Sequence, residues 1–257
     1  MQIKATNQYG TIRYYHLNDA QSALISVRGL NPPTANIATS PIATKDGSIV
    51  TNTQTQNRNI VLTFAPTGVN PGAFRASIYL MFKVKEPISL QIKTNGRTAN
   101  IDGYVESINA DPFNLKQRIQ ISIICPDPYF LGEEESRLLN YPNSNIVTFS
   151  DTTHGAIFEI TCYDNITGGF TISNSLTGEN FTVNGNFDTG DKITLDTRLG
   201  LKALTLTHNG TTTNILNRMN ADEHDWIQLV PYDNNLIGLS NANIAGVCRW
   251  QTHYEGV

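Results

Sequence analysis

The feature that most constrains this chain is the form of its apolar segments. They are short, they alternate with polar residues, and most are bounded by Gly, Asn, Asp or Pro. Ile88-Ser89-Leu90-Gln91-Ile92 and Ile119-Gln120-Ile121-Ser122-Ile123 alternate strictly, so a strand through either buries one set of side chains and leaves the other in water. Ile60-Val61-Leu62-Thr63-Phe64 is a third short apolar run. Thr94-Asn95-Gly96-Arg97 adds an Asn-Gly turn and leads through Arg97-Thr98-Ala99-Asn100-Ile101 into Gly103-Tyr104-Val105-Glu106, the pattern of a hairpin. Such a chain folds as many antiparallel strands with little helix.

One segment departs from period two. Asn70 can accept hydrogen bonds at the start of a helix whose first residue is Pro71, and Phe74, Ile78, Met81 and Phe82 recur on one helical face. The spacing predicts a single helix, its apolar face packed on a sheet. Pro87 ends the segment and opens the next strand.

With 257 residues, 39% hydrophobic and 16% charged, the chain can build one large or two ordinary domains. Pro126-Asp127-Pro128-Tyr129-Phe130 followed by Gly132-Glu133-Glu134-Glu135-Ser136 is the composition of a linker, which predicts domains over 1–132 and 133–257. Beyond it turns recur about every 8 to 12 residues, as in a sandwich. Asn184-Gly185-Asn186, Thr189-Gly190-Asp191 and His208-Asn209-Gly210 are the clearest.

The same sequence argues against several classes of function. A net charge of -4, with 18 scattered Lys and Arg, does not suit phosphate neutralisation, so no nucleic acid partner is expected. No stretch approaches the ~18 apolar residues of a membrane span, and the opening Met-Gln-Ile-Lys-Ala-Thr has no apolar run. The expectation is a soluble chain made in the cytoplasm, without membrane insertion. Cys125, Cys162 and Cys248 form no CxxC pair and read as small apolar residues. The Asn-x-Thr patterns at Asn165, Asn180 and Asn209 have meaning only in a secreted eukaryotic chain.

Asp222-Glu223-His224-Asp225 is the densest ionisable cluster and reads as a solvated loop, because adjacent strand residues point to opposite faces. His16, His154, His208 and His253 share no ligand spacing, and no GxSxG, GxGxxG or GxxxxGK[ST] is present. No catalytic, cofactor-binding or metal-binding residue is assigned, and no enzyme is expected. Trp226, Tyr232, Trp250 and Tyr254 suit sugar stacking if they share an exposed face, although in a sandwich such residues more often fill the core.

An ordered series of segments is more specific. Gly29-Leu30-Asn31-Pro32-Pro33, Asp46-Gly47-Ser48, Arg58-Asn59-Ile60, the helix, Arg97, Ile101-Asp102-Gly103-Tyr104-Val105-Glu106 and Ile123-Ile124-Cys125-Pro126-Asp127-Pro128-Tyr129-Phe130 follow one another as in a known family. The first half resembles the N-terminal, ring-forming domain of the distal tail proteins of long-tailed phages of Gram-positive bacteria. In the second half, Gly190 to Gly200 resembles that family's "gd-x-i-x-idt-x-x-g" hairpin, and Trp226 to Asn235 its "W-x-x-L-x-P-G-x-N" turn, with Tyr232 where the family usually has Gly. Tyr254-Glu255-Gly256-Val257 fits as a last strand.

The resemblance implies a mainly β chain of two domains, a β-sandwich-like ring-forming domain with one α-helix and a galectin-like β-sandwich. It further implies a structural tail-tip or baseplate protein in the virion, a homo-hexamer that joins the tail tube protein to the tail-associated tip protein and can hold a receptor-binding protein. Alternatives are a carbohydrate-binding module for host attachment and a peripheral baseplate protein of the same family.

Overall fold

Alternation in sequence becomes alternation in burial. The computed structural model describes the chain apart from residues 20–22, 44, 67–69, 95 and 112–116 and the side chains of 221, 223 and 224. It divides into two compact units, Met1–Gly132 with Tyr254–Val257, and Glu133–His253. The last four residues thus belong with the first unit, not with the second as the sequence suggested.

The first unit contains β1 (Gln2–Asn7), β2 (Ile12–His16), β3 (Leu24–Arg28), β4 (Ala35–Pro41), β5 (Ser48–Thr55), β6 (Arg58–Phe64), α1 (Pro71–Met81), β7 (Pro87–Lys93), β8 (Thr98–Ala110) and β9 (Ile119–Cys125). Pairing runs β3-β6-β9-β8-β7-β1-β2, antiparallel throughout. The long β8 pairs with β7 through Thr98–Tyr104 and with β9 through Tyr104–Ala110, and its register shifts between Val105 and Ser107. Such a shift bends a strand, and here it separates the two halves of the ladder. Ile60, Leu62 and Phe64 of β6 stand opposite Ile123, Ile121 and Ile119 of β9, and all six are buried.

Helix α1 is the only α-helix among the described residues. The Asn70 Oδ1 accepts from the amides of Gly72 (3.0 Å) and Ala73 (3.2 Å), which satisfies two of the otherwise orphaned first-turn donors. Ile78, Met81 and Phe82 are buried, contributing roughly 2 kcal/mol each. The Phe82 ring lies 6.4 Å from Phe64 and 6.0 Å from Tyr15. Strands β4 and β5 pair with each other from Ala35↔Thr55 to Pro41↔Ser48, and every residue in them is exposed except half-buried Ser40.

The chain passes into the second unit along β10 (Phe130–Leu139). There follow β11 (Asn143–Ile146), β12 (His154–Gly155), β13 (Ile157–Cys162), β14 (Phe170–Asn174), β15 (Glu179–Val183), β16 (Lys192–Asp196), β17 (Ala203–His208), β18 (Thr211–Asn214), β19 (Met219–His224), β20 (Gln228–Leu229), β21 (Asn235–Leu239) and β22 (Ile244–Tyr254). One sheet has the order β18-β17-β16-β13-β22 and a second the order β11-β21-β14-β15-β19. Phe158, Ile160, Leu195 and Leu204 of the first share one core with Ile172, Phe181, Val183 and Ile237 of the second, a β-sandwich.

All three cysteines are buried and free. Burial pushes the Cys125 thiol up to about 12 and Cys162 to about 11, and raises Cys248 further, so all remain protonated and behave as apolar filler.

Candidate functional site

The turn at Gly190 and the segment from Trp226 to Asn235 each hold a dense group of polar contacts in the second unit. Asp191 is buried; its carboxylate accepts from the Asp188 amide at 2.9 Å and from His208 Nδ1 at 2.6 Å. Asn209 Nδ2 lies 2.9 Å from His208 Nε2, which then accepts and leaves Nδ1 to donate. Asp188, Asp191 and His208 form the one trio of ligand-type side chains within 4.8 Å among the described residues, and Asp191 gives one oxygen to the Asp188 amide in the turn and the other to His208. Sequence reasoning missed the trio because His208 is 17 residues from Asp191, and no local spacing announces it.

Farther along, Asn235 is fully buried. Its Oδ1 accepts from the Val230 amide (2.8 Å) and its Nδ2 donates to the Val230 carbonyl (2.9 Å), so one side chain closes the loop from 230 to 235. Within that loop Tyr232 has φ 55°, the left-handed conformation expected at a position where Gly is usual. The tyrosine keeps it because its amide donates to the Thr148 carbonyl (2.9 Å) and its hydroxyl to Asp151 (3.2 Å).

Residues 150–254, nearly the whole of this sandwich and both of these loops, match the family described as siphovirus-type tail component, C-terminal domain. Over these residues the second unit is similar to the siphovirus-type tail components. Its resemblance to phage distal tail proteins is thereby borne out. Among solved structures, the chain is similar to the Dit protein (gp 19.1) of phage SPP1, described as a paradigm of the hub adsorption apparatus in phages infecting Gram-positive hosts. The likeness has a TM-score of 0.72 at 14% identity and covers 97% of this chain and 98% of that one. It establishes the fold along the chain. Two chains of phage p2 baseplates in the activated conformation, with Sr and with Ca, have TM-scores of 0.47 at 11% and 12% identity over 97% and 100% of this chain and 97% and 99% of theirs. No curated protein matches the sequence.

In this tail-component sandwich the aromatic residues named from sequence are not brought onto one face. Trp250 is buried, with its indole nitrogen unbonded. Trp226 packs on Phe181 at 5.3 Å beneath Lys202. Tyr254 falls in the first unit, under the Arg97 guanidinium at 4.4 Å. Tyr232 alone stands out in solvent, with Phe149 edge-to-face at 6.2 Å. Residues 222–225 also differ from expectation. Positions 219–224 are strand β19, paired at Phe181↔His224 and Val183↔Met219, not a loop; the Glu223 and His224 side chains lie outside the described residues.

Two of the segments that carried the resemblance in the first unit, around Gly29–Asn31 and Pro128–Phe130, meet at Arg58. This side chain, 3% exposed, donates to the carbonyls of Gly29, Asn31 and Pro128 at 2.6 Å each and of Glu255 at 2.7 Å. It also lies 4.3 Å over the Phe130 ring. Desolvation lowers its pKa from the ordinary arginine value, and the four carbonyl dipoles satisfy its charge. Gly29 (φ 87°) admits no side chain, since a Cβ there would meet the Asn59 carbonyl oxygen. A cleft of about 310 Å³ is lined by Ser26, Arg28, Thr63, Asp111 and Arg118 among others, with no histidine or cysteine among its described lining residues.

Proposed function

We propose that this chain is a non-enzymatic structural subunit of a phage tail tip. Its first unit closes a hexameric ring between tail tube protein and tail-associated tip protein, and its second unit serves as a hub for baseplate or receptor-binding proteins. The family of the second unit and the fold of the whole chain support the tail assignment. The observation that carries the ring is the β4–β5 hairpin. Ile37, Ile49 and Val50 are 57, 56 and 60% exposed on it, and among the described residues its strands pair only with each other.

A two-stranded arm with open edges and bare aliphatic residues is marginal alone and a hazard in a monomer. A neighbouring subunit covers both the edges and the apolar surface, and a head-to-tail contact repeated around an axis closes without a leftover patch. The reading predicts six-fold particles from the full chain in light scattering at high concentration and in negative-stain images, and their loss when residues 35–55 are replaced by a short Gly-Ser linker. A chain without six-fold symmetry both in solution and in tail-tip images refutes it.

A further inference from the structure

From Asn145 to Ser150 burial alternates strictly: Ile146, Thr148 and Ser150 are buried while Asn145, Val147 and Phe149 are exposed. The outward side chains of Asn145, Val147 and Phe149 therefore form a row along this stretch, and Asp151 follows it at a bend. Beside this row runs the 232–234 loop, tied to it by the Tyr232 amide on the Thr148 carbonyl, the Tyr232 hydroxyl on Asp151 and the Asn145 amide on Asn234 (2.8 Å). Phe149 and Tyr232 are 61 and 62% exposed and meet edge-to-face at 6.2 Å.

Both loops are fixed from behind. Thr148 Oγ1 lies 3.0 Å from Ser150 Oγ and 3.2 Å from His154 Nε2. Ser150 Oγ accepts from the His253 amide at 3.0 Å, and the Asp151 amide donates to the His253 carbonyl at 2.7 Å. Asn235 clamps the other loop. A pair of rings held out by a buried polar network is already ordered before any ligand arrives, which lowers the entropic cost of binding.

We infer that this row binds a neutral oligosaccharide, with the Phe149 and Tyr232 rings as stacking platform and Asp151, Asn145 and Asn234 as partners for hydroxyl groups. Ring faces suit the C–H faces of sugars, and carboxylates and amides suit their hydroxyls. Size decides against a protein partner: two rings at these exposures offer roughly 200–300 Å², against about 800 Å² per side of a standard protein interface. Charge decides the class of glycan. Asp151 and Asp233 at the rim repel phosphate- or carboxylate-bearing polymers. This inference stands apart from the hexameric ring, which involves the other unit.

The test is saturation-transfer NMR on the full chain with maltohexaose, cellohexaose, mannohexaose and the hexamer of N-acetylglucosamine, and with poly(glycerol phosphate) as the anionic control, each at about 1–10 mM. At least one neutral glycan should receive saturation, with affinity falling about tenfold or more in Phe149→Ala and in Tyr232→Gly. Tyr232→Gly is the sharper variant, since glycine accepts the left-handed backbone and the loop stays folded, which its thermal transition verifies. Absence of transfer to all four neutral glycans, transfer to the anionic polymer alone, or equal affinity in the folded Tyr232→Gly protein overturns the inference.

Discussion

At the scale of single residues, Arg58 and His154 are both buried polar groups, and they differ in whether their charge is matched. Arg58 gives four hydrogen bonds to backbone carbonyls from three distant stretches of chain. Arg58→Ala leaves those acceptors without their donor and should cost about 3–5 kcal/mol in urea denaturation, with Arg58→Lys recovering only part because an ammonium cannot fork among them. His154 is neutral instead. Burial first, and the stacked His253 ring at 4.7 Å as a further cause, lower its pKa from 6.5 to about 4, against a hydrogen bond to the Gly155 carbonyl that raises it. A folded pKa below the unfolded one leaves stability intact above pH 6.5 and removes it as pH falls toward 4, by about 3 kcal/mol at pH 4. His154→Gln, which cannot titrate, should lose that much less than the parent between pH 7 and pH 4; equal losses count against a neutral native His154.

At the scale of elements, Asn70 makes a direct test of α1: Asn70→Ala removes the acceptor for two first-turn amides and should lower stability by about 1 kcal/mol, measured as the shift in urea midpoint at constant slope. That helix was legible because cap, proline and a four-residue apolar stripe agree. The strands β7 and β9 were legible because one face of each is buried, leaving a period of two in the sequence. The β4–β5 hairpin was not, since neither face packs within its own unit and nothing forces alternation. Strand β19 was hidden by Asp222, Glu223 and His224, which an edge position tolerates. Phe149 gave no signal at all: a lone aromatic becomes a candidate only once Tyr232, 83 residues later, is folded beside it. The reach of the C-terminal residues to Arg58, across 197 positions, was equally beyond any local pattern.

At the scale of the whole molecule, the proposed ring and the two units make separate demands on the chain. The second unit owns its core, from Leu139 to Trp250, and Arg58 and Arg97 bind the terminal residues to the first. Assembly then has to come from surface that neither core uses. The hairpin strands, Ala-Asn-Ile-Ala-Thr-Ser-Pro and Ser-Ile-Val-Thr-Asn-Thr-Gln-Thr, contain no charged residue, so contacts made by them are aliphatic and backbone hydrogen bonds, without ion pairs. Screening at 1 M salt shortens the Debye length to about 3 Å and weakens exposed ion pairs, but leaves apolar contacts in place. Six-fold particles should therefore persist from about 0.05 to 1 M NaCl in light scattering, while Ile49→Lys with Val50→Lys, placing two cations on the hairpin at exposed positions that no core requires, should dissociate them to folded monomers. Dissociation of the parent ring by salt alone would show that charged surface outside the hairpin holds the subunits together.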